Sequence, residues 1–219
     1  MNNERVTEVA RKWNGAGNAL NFGPDNSRLL ISVWRTLAKG RPVSGQQIDQ
    51  IISDVGVNQD EAGEFLKGVT ERDSSDSIVG IFGLSLNDHP HRFTVNGASL
   101  TTWCAEDALF LPAMLDQTAT VESYSPLSKE KVRLTVGPER VEEVSPVGAV
   151  LSIVTLDPSK VDVSSVEAIY GNFCEQIHFF ASREEAERWA ADRENIDVLS
   201  VEEGYELGKL AFSELLAYT

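Results

Sequence analysis

The chain is poor in cysteine, with two in 219 residues, Cys104 and Cys174, seventy positions apart. So wide a spacing forms no disulfide framework, and neither cysteine has the close cysteine neighbour of a paired zinc half-site. No apolar run approaches the roughly 18 uncharged residues of a transmembrane helix. The opening "MNNERVTEVARKW" carries charges and no apolar signal core, which argues against a secretory peptide. A cytoplasmic setting is expected, where both cysteines are thiols. No internal repeat is visible. Basic residues are also scarce, 19 against 34 acidic, for a net charge of -15. Residues 1–75 are nearly balanced, with nine basic and ten acidic side chains, whereas residues 76–219 hold ten against twenty-four. A field of that sign repels nucleic acid and acidic membranes, so neither is an expected partner.

What is present suits a packed interior: 42% of residues are hydrophobic, including nine phenylalanines. The stretch "DNSRLLISVWRTLAKG" predicts a helix over 25–40 capped by Ser27 and stopped by Gly40. Ser44 with Gln47 opens a second helix as a capping box, and Asn58 with Glu61 opens a third. Three short helices with tight turns resemble a helix-turn-helix unit. Its candidate recognition helix begins with Asp60, Glu61 and Glu64, the wrong sign for a phosphate backbone, so a packing role is expected.

After a polar connector over 71–78 the pattern becomes strand-like. "IVGIFGLSL" and "HRFTVNG" read as paired strands, the second ending in an Asn-Gly turn. Residues 101–115 read as a helix with Pro112 bending or ending it, followed by strands in "ATVESYS", "KVRLTVG", "VEEVSP" and "GAVLSIVTL". The last third predicts a short helix at "SSVEAIYG" and a buried strand at "CEQIHFF". A helix capped by Ser182 and Glu185, a strand at "IDVLSV" and one final helix complete it. The sum is an α+β fold: a helical module over 1–75, then a mixed sheet-and-helix core over 76–219.

The chemistry concentrates at "TTWCAEDALFLP". Helical spacing makes Cys104 and Asp107 neighbours, and the apolar residues after Asp107 favour burial of its carboxyl. Burial raises a carboxyl pKa, while a cysteine in a first helical turn gains stabilisation of its thiolate. Each residue also has a plain structural reading: cysteine often fills core space, and an aspartate often answers a helix dipole. Strand periodicity puts Cys174 and His178 on one face, where with Cys104 and Asp107 they could complete four zinc ligands; His178 equally suits a satisfied core histidine.

The segments "LAKGRPVS" (37–44), "GIFGLSL" (80–86), "WCAEDALFLPA" (103–113) and "FCEQIHFFAS" (173–182) together resemble the organomercurial lyase (alkylmercury lyase) family. The resemblance runs in order from about residue 28 to 215. It implies a winged-helix-like N-terminal module and a catalytic core that cleaves carbon–mercury bonds by protonolysis, releasing hydrocarbon and Hg(II). The family's W-C-A-x-D motif falls on Cys104 and Asp107, and its F-C segment on Cys174. These three are the expected catalytic residues and mercury ligands, with Cys104 attacking first and Asp107 accepting its proton. His178 and Trp103 are expected to support the core, and Phe173 to line the pocket. Glu175 and Ser125 stand where many members carry further cysteines. No cofactor is implied. An external small-molecule thiol is expected to release the product, with mercuric reductase as a candidate recipient. The rival readings are a non-catalytic thiol-based metal-binding or sensing protein, which gives Asp107 no necessary task, and a thiol redox protein.

Overall fold

Local capping chemistry sets the ends of the first helices. The computed structural model describes residues 3–13, 22–155 and 162–219. α1 (Asn3–Trp13) is followed by α2 (Gly23–Leu37), α3 (Gly45–Val55) and α4 (Gln59–Val69). α3 opens on the expected box, in which Ser44 and Gln47 exchange side-chain and backbone bonds. The Asn58 side chain accepts from the N–H groups of Asp60 and Glu61 to open α4. α2 differs from expectation: it begins at Gly23 with Pro24 in its first turn, so Ser27 is a buried interior residue and not the cap. Proline is accommodated there because the first N–H groups of a helix have no internal acceptor. The sequence reading assigned no element to α1, yet Val6, Val9, Ala10 and Trp13 form one buried stripe along it.

An antiparallel sheet follows, built from β1 (Thr70–Arg72), β2 (Ile78–Ile81), β3 (Leu84–Ser85), β4 (His91–Val95) and β5 (Ala98–Thr102). After α5 (Ala105–Leu115) it is extended by β6 (Ala119–Tyr124), β7 (Lys131–Val136) and β8 (Val141–Ser145). The eight strands lie in the order β1-β2-β3-β5-β4-β6-β7-β8. Phe93 faces Val121 and Val121 faces Leu134 across the ladder, so one buried face continues from strand to strand. The run "IVGIFGLSL" does not pair with "HRFTVNG" as expected. It folds on itself as the β2–β3 hairpin, with Phe82 and Gly83 at positive φ in the turn. The Asn96-Gly97 turn between β4 and β5 is as expected, both residues having positive φ.

The second sheet is small: β9 (Val150–Val154) lies between β10 (Phe179–Phe180) and β11 (Ile196–Ser200). Leu156, the end of the predicted "GAVLSIVTL" strand, lies outside the described residues. α6 (Val166–Asn172) is capped by Ser165, and α7 (Arg183–Ala190) by Ser182. Only half of the expected Ser182–Glu185 box forms, because the Glu185 carboxylate accepts from the Ser128 N–H instead. The expected final helix is two, α8 (Val201–Ala211) and α9 (Ser213–Leu216), separated at Phe212. The predicted strand "CEQIHFF" is a 3-10 turn over Cys174–Gln176, with only Phe179 and Phe180 in a strand.

Every residue of α5 is buried, as befits a helix apolar on nearly all sides. The large sheet, α2 and α8 all pack against it. One continuous hydrophobic cluster runs from α1 and α2 through α5 to α9. Trp34 of α2 fastens the helices to the sheet by donating its indole N–H to the carbonyls of Ile81 and Phe82, at 3.0 and 3.2 Å. α8 approaches α5 closely because it presents glycine: a Cβ at Gly208 would stand 2.8 Å from the Phe110 Cβ. Gly208→Ala is expected to destabilise the fold. Overpacking costs about 1–3 kcal/mol, against about 1 kcal/mol gained from helix propensity. Urea unfolding would check this, and an equal or higher midpoint would contradict the close packing.

Candidate active site

The strand-to-helix junction after β5 holds two of the three expected site residues, Cys104 and Asp107. Trp103 donates its backbone N–H to the Gly83 carbonyl at 3.0 Å, and the Thr102 hydroxyl donates to the Cys104 carbonyl at 2.9 Å. With its backbone so held, Cys104 becomes the N-cap of α5, not a residue of its first turn. Asp107 occupies the third helical position and accepts the Cys104 N–H at 2.8 Å, while the Cys104 sulfur faces the Asp107 N–H. This is the reciprocal arrangement of a capping box with sulfur in place of the usual hydroxyl. It places thiol and carboxyl side by side through backbone geometry, not through packing on one helix face.

Cys174 reaches the same point from the 3-10 turn after α6. The Ile177 carbonyl accepts the Ala105 N–H at 3.1 Å, tying this segment to the start of α5. Ser152 in β9 holds it from behind: its hydroxyl donates to the Gln176 carbonyl at 2.7 Å and accepts the His178 N–H at 3.0 Å. The result is a buried cluster in which ligand atoms of Cys104, Asp107 and Cys174 lie within 4.8 Å of one another. Both cysteines are free thiols.

His178 is not part of this cluster. Its Nε2 pairs with the Glu175 carbonyl at 2.9 Å and its ring packs against Trp189, so the zinc arrangement with His178 is not formed. A 3-10 turn removes the strand periodicity that would have put positions 174 and 178 on one face. Trp103 is fully buried and Phe173 lines the cavity, as expected. Glu175 is exposed, and Ser125 is buried away from the cavity.

The cavity measures about 40 Å³, with Phe82, Phe110, Phe173, Phe212 and Trp13 among its walls. A larger cleft of about 600 Å³, on the outer face of β4 and β6–β8, is lined by Arg92, Glu122 and Arg133 and contains none of the three residues. Burial dominates the acid–base properties of the small cavity. It pushes the Cys104 thiol well above the ordinary range, aided by Cys174 and the Asp107 charge. The expected thiolate stabilisation at the helix start is thus outweighed by burial. For Cys174, a hydrogen bond from Cys104 lowers the pKa, but burial and Asp107 together raise it overall. Burial raises Asp107 from 3.8 to about 6, against the lowering effect of its bonds from Cys104.

Two contributors escaped the sequence reading. Gly83 has φ of 92°, and a Cβ there would stand 2.6 Å from the Asp107 carboxyl carbon. Glycine is required for both reasons. Glu106 is buried in the same cavity with neither carboxyl oxygen hydrogen-bonded. Glycine in a hairpin turn gave a signal for the first, whereas a lone glutamate beside the motif gave none.

A family profile described as "MerB: Alkylmercury lyase" matches residues 84–213. The chain belongs to the alkylmercury lyase family. It is 35% identical over 196 residues to the alkylmercury lyase of Pseudomonas putida, covering 90% of this chain and 88% of that protein. With the alkylmercury lyase of Streptomyces lividans it shares 36% identity over 219 residues, covering 96% and 92%. The fold is similar to that in a crystal structure of the mercury-bound form of MerB2, with TM-score 0.74 and 22% identity, covering 96% of this chain and 99% of that one. The α+β class expected from sequence is therefore the architecture of this lyase family. Among the described residues no helix is long and apolar enough to cross a membrane.

The raised Asp107 pKa has a consequence for stability. An unfolded aspartate titrates near 3.8, so between that pH and about 6 the unfolded chain has released a proton the native chain retains. Stability must therefore fall as pH rises through that window, by about 3 kcal/mol for this group. Asp107→Asn removes the titration, and its side-chain oxygen can still accept the Cys104 N–H. The variant's unfolding free energy relative to the parent is expected to rise by about that amount between roughly pH 4 and pH 7. Urea titrations across the range would test it, and a pH-independent difference would contradict a buried, raised Asp107.

Proposed function

We propose that Cys104, Cys174 and Asp107 carry out the family's reaction, protonolysis of the carbon–mercury bond of alkyl- and arylmercury compounds. The observation that carries the assignment is the convergence of two thiols and one carboxyl within 4.8 Å in a buried cavity. Mercury is a soft metal for which thiolate is the best-matched protein ligand, and two sulfurs at this separation can share one ion.

The balance of atoms follows from the donors. The substrate enters as R–Hg–SR′, its mercury carrying an external thiolate. One cysteine sulfur displaces R′S⁻, which leaves as R′SH with the proton released by Cys174. The other sulfur then binds, adding electron density at mercury and giving the attached carbon carbanion character. Cys104 lies in hydrogen-bond reach of Asp107, so its proton passes to that carboxylate as its sulfur takes the metal. Asp107 delivers the proton to carbon, the Hg–C bond breaks, and R–H leaves Hg(II) bound by two thiolates. The order of the two captures does not alter this balance.

A pKa of about 6 suits the shuttle. At neutral pH the group is mostly ionised and can accept a proton, yet it is more basic than an exposed aspartate. The apolar walls exclude water that would compete as proton donor or mercury ligand. Asp107 also separates this reading from simple chelation, which needs only the sulfurs.

The product is held by two buried thiolates, so its departure calls for exchange with incoming thiols. We assign that task to a small-molecule thiol, with the paired cysteines of mercuric reductase as the downstream acceptor.

Cys104→Ser and Cys174→Ser are each expected to abolish turnover, because a hydroxyl is a poor mercury ligand. Asp107→Asn should bind the organomercurial yet lose at least about a hundredfold in protonolysis, the scale of a removed general acid. Incubation with methylmercury and excess thiol, with methane measured in the headspace, tests all three. Near-normal methane from Cys104→Ser would refute the assignment.

A further inference from the structure

One polar group in the cavity has no task in this reaction. Glu106, in the first turn of α5, is 2% exposed, and neither of its carboxyl oxygens has a hydrogen-bond partner. It lines the cavity that holds Cys104, Asp107 and Cys174. From α8 the backbone of Gly208 faces it, outside hydrogen-bond geometry yet close enough to oppose weakly the rise in pKa that burial causes, and a Cβ there would stand 2.9 Å from its Oε1. Among the described residues no lysine, arginine or histidine lines the cavity to compensate it. A buried carboxyl left this way costs about 1–3 kcal/mol, which an apolar residue of similar size would not.

We infer that Glu106 is a substrate-selecting group, accepting a hydrogen bond from a hydroxyl or amine on the organic moiety of the organomercurial. The inference rests on the catalytic reading above, since it requires the organic group to enter this cavity when mercury is held by the sulfurs. The remaining walls are largely rings and aliphatic side chains, among them Phe82, Phe110, Ile169 and Phe212. Their side chains accept hydrocarbon but offer no hydrogen-bond acceptor to a hydroxyl or amine. A substrate donor would satisfy an oxygen that the protein leaves unpaired, whereas a pure alkyl group leaves it orphaned in the closed site. Sites built to pair with a substrate hydroxyl discriminate strongly against the analogue lacking it. A cavity of about 40 Å³ restricts the preference to short chains.

The test compares two near-isosteric substrates, 3-hydroxypropylmercury and butylmercury, by quantifying propan-1-ol and butane. In the parent protein kcat/KM is expected to favour the hydroxyl substrate by about tenfold or more. Glu106→Leu should reduce that ratio at least about tenfold, while Glu106→Gln, which keeps an oxygen acceptor, should retain it. A merely structural role would slow both substrates alike and leave the ratio unmoved. A parent ratio near one, or an unchanged ratio in Glu106→Leu, would overturn the inference. If Glu106→Leu fails to fold, Glu106→Met replaces it, and the parent ratio remains decisive. Absence of product from both substrates in the parent would instead count against the catalytic assignment itself.

Discussion

A single backbone hydrogen bond, from the Ala105 N–H to the Ile177 carbonyl, brings the two halves of the site together. Cys104 lies one residue before its donor and Cys174 three residues before its acceptor, so the bond sets their separation directly. Neither segment is regular secondary structure at that point: one is a helix cap and the other a 3-10 turn. Each needs outside support. Gly83 and Thr102 give it to the cap, and Ser152 on the fully buried strand β9 gives it to the turn. Backbone groups and small hydroxyls thus place the sulfurs, leaving their lone pairs and protons available for chemistry.

The surroundings favour the proton-bearing form of every acid in the cavity. Burial raises Cys104, Cys174, Asp107 and Glu106 together, which favours protonated thiols. A reactive thiolate pair would be open to oxidation. In the proposed reaction a protonated pair becomes a ligand only when a soft metal arrives and lowers the thiol pKa by binding. The cost appears as lost stability where Asp107 ionises, the common compromise of a site arranged for function over folding.

The enclosure comes from distant parts of the chain. Trp13 of α1 meets Phe173 edge-on at 6.2 Å between ring centres, and Phe212 stacks close to Phe110 at 4.4 Å. Phe22, Phe82 and Trp34 continue the aromatic layer beneath α2. The N-terminal helices therefore contribute to the same hydrophobic cluster as the catalytic core. Their acidic first turns, the feature that argued against nucleic-acid binding, remain exposed on α4.

Signals that act within a few residues were legible in the sequence. The Ser44, Asn58 and Ser165 caps and the Asn96-Gly97 turn depend on side chains reaching their own neighbouring backbone. The W-C-A-x-D and F-C segments, through the family resemblance, pointed to the two thiols and the carboxyl that the fold brings within 4.8 Å of one another. Where apolar runs fitted more than one backbone path, sequence misjudged them: "IVGIFGLSL" became a hairpin, "CEQIHFF" a turn, and the helix at 101–115 began only after β5. Such choices depend on which partner strand or helix buries the run, and periodicity does not contain that information. Convergence of Cys104 and Cys174, the glycine space at Gly83 and Gly208, and the isolation of the Glu106 carboxyl exist only after the fold closes. Composition and local spacing determined which chemistry the chain can supply, while long-range backbone pairing and burial decided where it is assembled and in which protonation state it waits.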